Sequence, residues 1–147
     1  MSYTVLAIDD TKKILTIVKY FLENEGFRVL TASDPFEGIE LVRKHRPDLI
    51  LLDIMMPGMD GYTVKERINQ DPSTAETPVI MLTAKAIIMH TPKDFFYGLY
   101  GFLAKPFSKQ QLLKMVHDIL KLTKAKEETR FFRSVSDDPG DEISENP

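Results

Sequence analysis

The chain has 147 residues, 43% of them hydrophobic and 28% charged, with a formal net charge of −3. This size and composition are those of one globular domain. Because there is no cysteine and only three dispersed histidines, disulfides, thiolate catalysis and a compact zinc site are excluded. We find no secretory leader and no apolar stretch of membrane-spanning length, and we expect a cytoplasmic protein.

The negative charge is concentrated at the C-terminal end. Residues 124–147 carry four basic and seven acidic side chains, whereas residues 1–123 carry 15 of each. The folded part therefore has no basic field suited to nucleic acid. We predict one domain over 1–123, followed at 124–147 by a charged, disordered tail or a linker stump. The pattern of 121–130 also allows a linker helix.

Short apolar runs alternate with amphipathic segments along the domain. The apolar runs that we predict as strands are 3–8, 27–31, 49–53, 79–83 and 101–104. The third run is apolar on both faces, which is typical of a central strand. Between the runs lie helical patterns. The first should end at Gly26, the second should run from Asp34 with Glu37 to His45, the third should cover 61–69, and the last should begin at Ser108 with Gln111. In the turn before the third helix we predict Asp60 as the N-cap and unusual backbone angles at Gly58 and Gly61.

Strands that alternate with helices predict an α/β fold, in which helices cover both faces of a five-stranded parallel sheet. Ligands of such sheets bind beyond the carboxyl ends of the strands. Five chemically active side chains stand at the ends of the first, third, fourth and fifth strands: Asp9, Asp10, Asp53, Thr83 and Lys105.

Three carboxylates in one place repel each other unless a cation lies among them, and Mg²⁺ suits a site with few carboxylates. Asp53 interrupts an apolar run, where an unpaired charge is costly, so a functional role is favoured. One carboxylate could then attack phosphorus, with Lys105 and the metal balancing the charge and Thr83 donating a hydrogen bond. Taken singly, Asp10 could instead cap a helix, Thr83 could be an ordinary strand residue, and Lys105 a surface ammonium.

Four groups of residues together resemble the receiver domain of bacterial two-component response regulators, of the chemotaxis-regulator type. The resemblance covers about residues 3–123. It is carried by Asp9-Asp10, the block from Asp53 to Gly61 (DIMMPGMDG), Thr83-Ala84 and Lys105-Pro106-Phe107. It implies a flavodoxin-like, doubly wound sheet with strand order 2-1-3-4-5 and five helices.

The resemblance also implies roles for individual residues. Asp53 would accept a phosphoryl group from a histidine kinase or a phosphotransfer protein. Asp10, Asp53 and the backbone carbonyl of Met55 would hold Mg²⁺ directly, and Asp9 would help through a bound water. Lys105 would pair with a phosphoryl oxygen. Such a domain is no enzyme beyond assisting its own phosphorylation and dephosphorylation.

The resemblance further implies a switch. Thr83 would move toward the phosphoryl group, and Phe102 would turn into the vacated space. The signal would leave through the face formed by helix 4, strand 5 and helix 5, toward a downstream protein, an output domain or a second copy in a phosphorylation-dependent homodimer. Met55 and Lys85 stand where the family tunes hydrolysis, and neither positions water, which predicts a long-lived phosphorylated state.

The segment 85–100 departs from the family pattern. Pro92 cannot lie inside a helix, so we predict a short helix that starts at Thr91, preceded by an extended or loop segment at 86–90. An aromatic cluster at Phe95, Phe96, Tyr97 and Tyr100 either fills a gap beside the sheet or enlarges a contact face.

Three other functions are alternatives to that of a phosphorylated receiver domain. An aspartyl-nucleophile phosphohydrolase separates its two acids by one residue, whereas Asp9 and Asp10 are adjacent. A flavodoxin-type cofactor binder would not place two acids where a phosphate binds. A receiver-like binding module that is never phosphorylated stays open. The residues after 123 are too few for an output domain, so we expect a single-domain or excised receiver.

Overall fold

The computed structural model describes residues 2–89 and 99–135, with side chains through residue 127. Five strands form one parallel sheet in the order β2-β1-β3-β4-β5, which confirms the predicted topology. The strands are β1 (Thr4–Ile8), β2 (Arg28–Ala32), β3 (Leu49–Asp53), β4 (Val79–Ala84) and β5 (Gly101–Lys105). Each differs from its predicted range by one residue at most at either end.

Five helices are described. They are α1 (Lys12–Glu23), α2 (Pro35–His45), α3 (Gly61–Gln70), α4 (Lys85–Met89) and α5 (Lys109–Val135). Two capping predictions are confirmed by hydrogen bonds. Asp34 accepts from the amides of Phe36 and Glu37, and Ser108 and Gln111 bond each other reciprocally at 2.8 and 3.0 Å.

The core consists of two apolar layers, one on each face of the sheet. Side chains of α1 and α5, such as Val18 and Val116, pack against one face, and those of α2 and α3, such as Val42 and Val64, pack against the other. All five residues of β3 are buried, as expected for a central strand. Asp53, at the end of β3, is therefore a buried acid that directly follows the packed core.

The expectation of an extended or loop segment at 86–90 was wrong for residues 86–89. This stretch belongs to α4, which follows β4 directly. Ala86 and Met89 favour helix, and Pro92 disrupts a helix that continues through it, so it does not prevent a helix that ends at Met89. The helix predicted from Thr91, and the aromatic residues 95–97, lie outside the described residues.

Helix α5 continues far beyond the predicted end of the domain, to Val135. The first half of the predicted tail is therefore helical, which matches the linker-helix interpretation of 121–130. The domain boundary at 123 stays a prediction. Within the described ranges, no helix is both long and apolar enough to cross a membrane.

Candidate functional site

The carboxyl ends of β1, β3, β4 and β5 bring four of the predicted site residues to one edge of the sheet. Asp53 and Lys105 close their strands, Asp9 follows β1, and Thr83 is the penultimate residue of β4. Asp9, Asp53 and Thr83 are buried, and Asp10 is exposed. These residues thus lie at one edge of the sheet, as predicted.

The three acidic side chains form a tight group. One carboxylate oxygen from each of Asp9, Asp10 and Asp53 lies within 4.8 Å of the others. Asp9 is fully buried, and its Oδ1 accepts a hydrogen bond of 2.9 Å from the amide of Thr11. This bond holds the Asp9 carboxylate at the start of α1.

Lys105 supplies the counter-charge. Its Nζ lies 2.6 Å from Oδ2 of Asp9 and 3.5 Å from Oδ1 of Asp53. The Lys105 side chain is 22% exposed, so the ammonium bridges the buried acids and the solvent. The peptide bond between Lys105 and Pro106 is cis.

One ammonium does not neutralise three carboxylates. Burial, followed by the negative charge of Asp9, raises the pKa of Asp53 from 3.8 to about 6, even though Lys105 acts in the opposite direction. Ionisation of Asp53 is therefore less favourable than that of an ordinary aspartate, and a further cation at the site would favour it. The donor set is hard oxygen at a half-open edge, which is the chemistry that suits Mg²⁺ with several retained waters.

The raised pKa predicts a fall in stability with pH. Between pH 4 and pH 6 the folded state binds more protons than the unfolded chain, so the free energy of unfolding decreases as the pH rises through this range. The decrease should be about 1–3 kcal/mol, because one group titrates and each pKa unit between the folded and the unfolded chain corresponds to about 1.36 kcal/mol. Denaturant titrations in a chelating buffer measure it.

Two comparisons control this prediction. The Asp53→Asn variant should lack most of the decrease and be more stable than the parent above pH 6. Millimolar Mg²⁺ should restore stability to the parent at neutral pH, since it binds the folded state. Parallel pH profiles of the parent and the variant would contradict the assigned cause.

Thr83 and Phe102 lie on the same face of the sheet. Phe102 is paired with Met81, and side chains two residues apart in a strand share a face, so Thr83 is a diagonal neighbour of Phe102. Phe102 is half-buried and packs on the layer that includes Met81.

The turn after β3 contains the remaining residues of the block from Asp53 to Gly61. Asp60 is the N-cap of α3 and accepts from the amide of Thr63 at 2.8 Å, as predicted. Gly58 has a φ of +88°, which confirms the expected unusual backbone angle. Met55 is 62% exposed beside the site.

The reason predicted for Gly61 was wrong. Its φ lies outside the positive range, and its requirement is space, because a Cβ there would overlap the backbone carbonyl oxygen of Asp53. The amide of Gly61 also donates to the carbonyl of Ile54 at 2.8 Å. The start of α3 is thus packed directly onto the end of β3.

Two features of the site were missed in the sequence. Thr11, and not Asp10, is the N-cap position of α1, so the helix-cap interpretation of Asp10 was wrong. The shorter ion pair of Lys105 is with Asp9, whereas the sequence pattern had drawn attention to Asp53 as the acid in an apolar run. The sequence feature that indicates the burial of Asp9 is the unbroken apolar run 5–8, which continues the buried strand up to Asp9.

Known proteins share this sequence pattern. The family model "Response regulator receiver domain" matches residues 5–117. The DNA-binding dual master transcriptional regulator RpaA of Synechocystis is 40% identical over 119 residues, which are 81% of this chain and 49% of that protein. The probable transcriptional regulator ycf29 of Porphyra purpurea is 32% identical, over 82% of this chain and 57% of that one. The chain thus spans about half the length of these relatives.

Solved structures share the fold. The chemotaxis response regulator CheY4 of Vibrio cholerae has a TM-score of 0.74 and 32% identity, over 81% of this chain and 99% of that one. The receiver domain of the sensor histidine kinase PA1611 of Pseudomonas aeruginosa has a TM-score of 0.74 and 25% identity, over 82% of this chain and 99% of that one. That domain holds a magnesium ion in its active-site cleft. With the sheet order and the family match over residues 5–117, these likenesses show that the chain belongs to the response regulator receiver domain family.

Proposed function

We propose that this domain is the phosphoacceptor of a two-component system and that Asp53 takes the phosphoryl group from a histidine kinase or a phosphotransfer protein. The observation that carries the proposal is the buried carboxylate of Asp53, at the open edge of the sheet, within 3.5 Å of an ammonium and within 4.8 Å of two further acids. Attack by Asp53 Oδ on phosphorus forms the O–P bond as the P–N bond of a phosphohistidine breaks.

The metal site of the proposal consists of Asp10, Asp53 and the backbone carbonyl of Met55 as direct ligands, with Asp9 acting through a water. Mg²⁺ bound there would neutralise the acids and stabilise the charge on the transferring group. Metal binding would also lower the pKa of Asp53 and so favour the ionised carboxylate, which is the nucleophile.

Lys105 and Thr83 act on the phosphoryl oxygens in this proposal. The Lys105 ammonium already contacts Oδ1 of Asp53, so it is placed to pair with an oxygen of the group attached there. The Thr83 hydroxyl would donate to another oxygen, and Phe102 would follow the displaced side chain. Their shared sheet face supports this coupling.

The signal is proposed to leave through α4, β5 and α5, toward a downstream protein, an output domain or a second copy of the chain. RpaA is described as a DNA-binding regulator, but residues 1–123 carry no net charge, so we assign no DNA contact to this domain. A cytoplasmic location fits a phosphodonor of this kind.

Intact-mass spectrometry after incubation with acetyl phosphate tests the proposal. We expect a gain of one phosphoryl group that requires Mg²⁺ and is absent in Asp53→Asn. A folded protein that gains no phosphoryl group would contradict the proposal and favour a binding module that works without phosphorylation.

The phosphorylated state is predicted to be long-lived. Met55, 62% exposed beside the site, is apolar, and Lys85 is a cation, so neither side chain holds an attacking water by accepting its proton. Loss of the phosphoryl group after removal of acetyl phosphate should take minutes or longer. The Met55→Glu variant should lose it faster, and loss within seconds in the parent would contradict the prediction.

A further inference from the structure

A cleft of about 360 Å³ opens at the pole of the molecule opposite Asp53. Four of its lining residues, Tyr3, Asp48, Pro78 and Tyr100, each stand immediately before a strand of the sheet. The strands are parallel, so their amino ends lie at the edge away from the phosphoacceptor. The volume falls in the range of about 300–1,000 Å³ that is usual for small-molecule sites.

The cleft exists because α5 is long. Residues of α5 form one wall, and three of them, Lys124, Lys126 and Glu127, lie beyond the predicted end of the domain. The opposite wall is the loop between α3 and β4, which internal hydrogen bonds hold in place. The Ser73 amide and hydroxyl both donate to Asp71, and the buried Thr74 hydroxyl donates to the carbonyl of Ile68. The cleft is therefore preformed.

The two walls differ in charge. Two acids lie outside α5: Asp48, directly before β3, and Glu76, in the loop between α3 and β4. They contribute a formal charge of −2, whereas Lys124, Lys126 and Glu127 of α5 contribute +1. A simple anion would be repelled by the two acids, and a simple cation would be repelled by the two lysines. The distribution matches a molecule with one charge of each sign.

Two of these groups have unused bonding capacity. Asp48 Oδ2 accepts from the amide of Thr4 at 2.8 Å, which leaves its second oxygen for another donor. Among the residues that the structure describes, Lys124 forms no ion pair. Lys126, in contrast, lies over the ring of Tyr100, 5.3 Å from its centroid, and fixes that ring in the wall.

We propose that this cleft binds a free amino acid with an apolar or aromatic side chain. The ammonium group of the ligand would lie on the Asp48 side and its carboxylate would pair with Lys124. The side chain would pack on Tyr3, which is 37% exposed, and on Leu120 at the floor. The proposal does not depend on Asp53, since binding is measured on the unphosphorylated chain.

Isothermal titration of the whole chain with L-phenylalanine tests the site. We expect one molecule bound per chain, and binding at least about tenfold weaker for L-phenylalaninamide and for N-acetyl-L-phenylalanine, because each lacks one charge-assisted contact. The variant Lys124→Met should weaken binding by a similar factor. Lys121→Met is the matched control, because Lys121 is exposed on the same helix but does not line this cleft.

Three outcomes would overturn the proposal. The first is the absence of binding at millimolar L-phenylalanine in the folded protein. The second is equal binding of the amide or the N-acetyl compound, which would show that the cleft does not recognise the ammonium and the carboxylate of the ligand. The third is a loss of binding in Lys121→Met with none in Lys124→Met, which would place the site elsewhere.

Discussion

Replacing Lys105 with methionine should slow phosphorylation of this domain by about 10²-fold, which is the effect of removing one charge-stabilising donor from an active site. Methionine keeps most of the apolar stem and removes the ammonium that lies 2.6 Å from Asp9 and 3.5 Å from Asp53. The transferring group would lose that positive charge, and the buried Asp9 carboxylate would lose its closest partner.

The same variant should bind Mg²⁺ more tightly than the parent. The ammonium and the metal are attracted to the same carboxylates, so removing one favours the other. Slower transfer combined with tighter metal binding separates a specific role of Lys105 from general damage to the fold. Phosphorylation time courses with acetyl phosphate and titrations of Mg²⁺ measure the two effects.

Lys114→Met is the matched control for Lys105→Met. Lys114 forms an exposed ion pair with Asp118 one turn away on α5, and such pairs contribute little. The control should leave the rate of transfer and the affinity for Mg²⁺ unchanged. If Lys105→Met were phosphorylated at the parental rate, Lys105 would have no role in the transfer.

A methyl group at position 61 should destabilise the protein by about 3 kcal/mol, at the upper end of what overpacking costs. The Cβ of Gly61→Ala would overlap the backbone carbonyl oxygen of Asp53 and approach Cα of Ile54 to 2.9 Å. These are backbone atoms of a central strand, so no side-chain rotation relieves the contact. The end of β3 would have to move, and Asp53 with it.

Gly101→Ala provides the control. The nearest atom to its Cβ would be the sulfur of Met115 at 3.3 Å, the flexible end of a side chain. This variant should lose less than about 1 kcal/mol. Chemical denaturation measures both, and equal effects of the two substitutions would contradict the packing of α3 onto β3. Gly61→Ala should also bind Mg²⁺ more weakly, because the carboxylate of Asp53 is displaced.

Much of this arrangement could be predicted from local patterns. The apolar runs and the capping pairs at Asp34, Asp60 and Ser108 specify strands and helices through contacts within a few residues. Because the strands of the sheet are parallel, their five carboxyl ends then lie at one edge. The convergence of Asp9, Asp53 and Lys105 follows from topology, with no knowledge of side-chain positions.

The remainder depends on contacts between residues that are distant in sequence. The pairing of Lys105 with Asp9 spans 96 positions, and only the folded chain shows that Asp9 is the closer acid. The need for Gly61 comes from a carbonyl on another element. The helical conformation of 85–89 was not predicted, because the helix-breaking effect of Pro92 was assumed to reach several residues toward the N-terminus.

The proposed function requires that the phosphoryl group is attached to Asp53. Borohydride reduces an acyl phosphate of aspartate to homoserine, so reduction after incubation with acetyl phosphate and Mg²⁺, followed by peptide sequencing by mass spectrometry, locates the attachment. We predict homoserine at position 53 and at no other aspartate. Homoserine at position 9 or 10, or none in a protein that is folded, would contradict it.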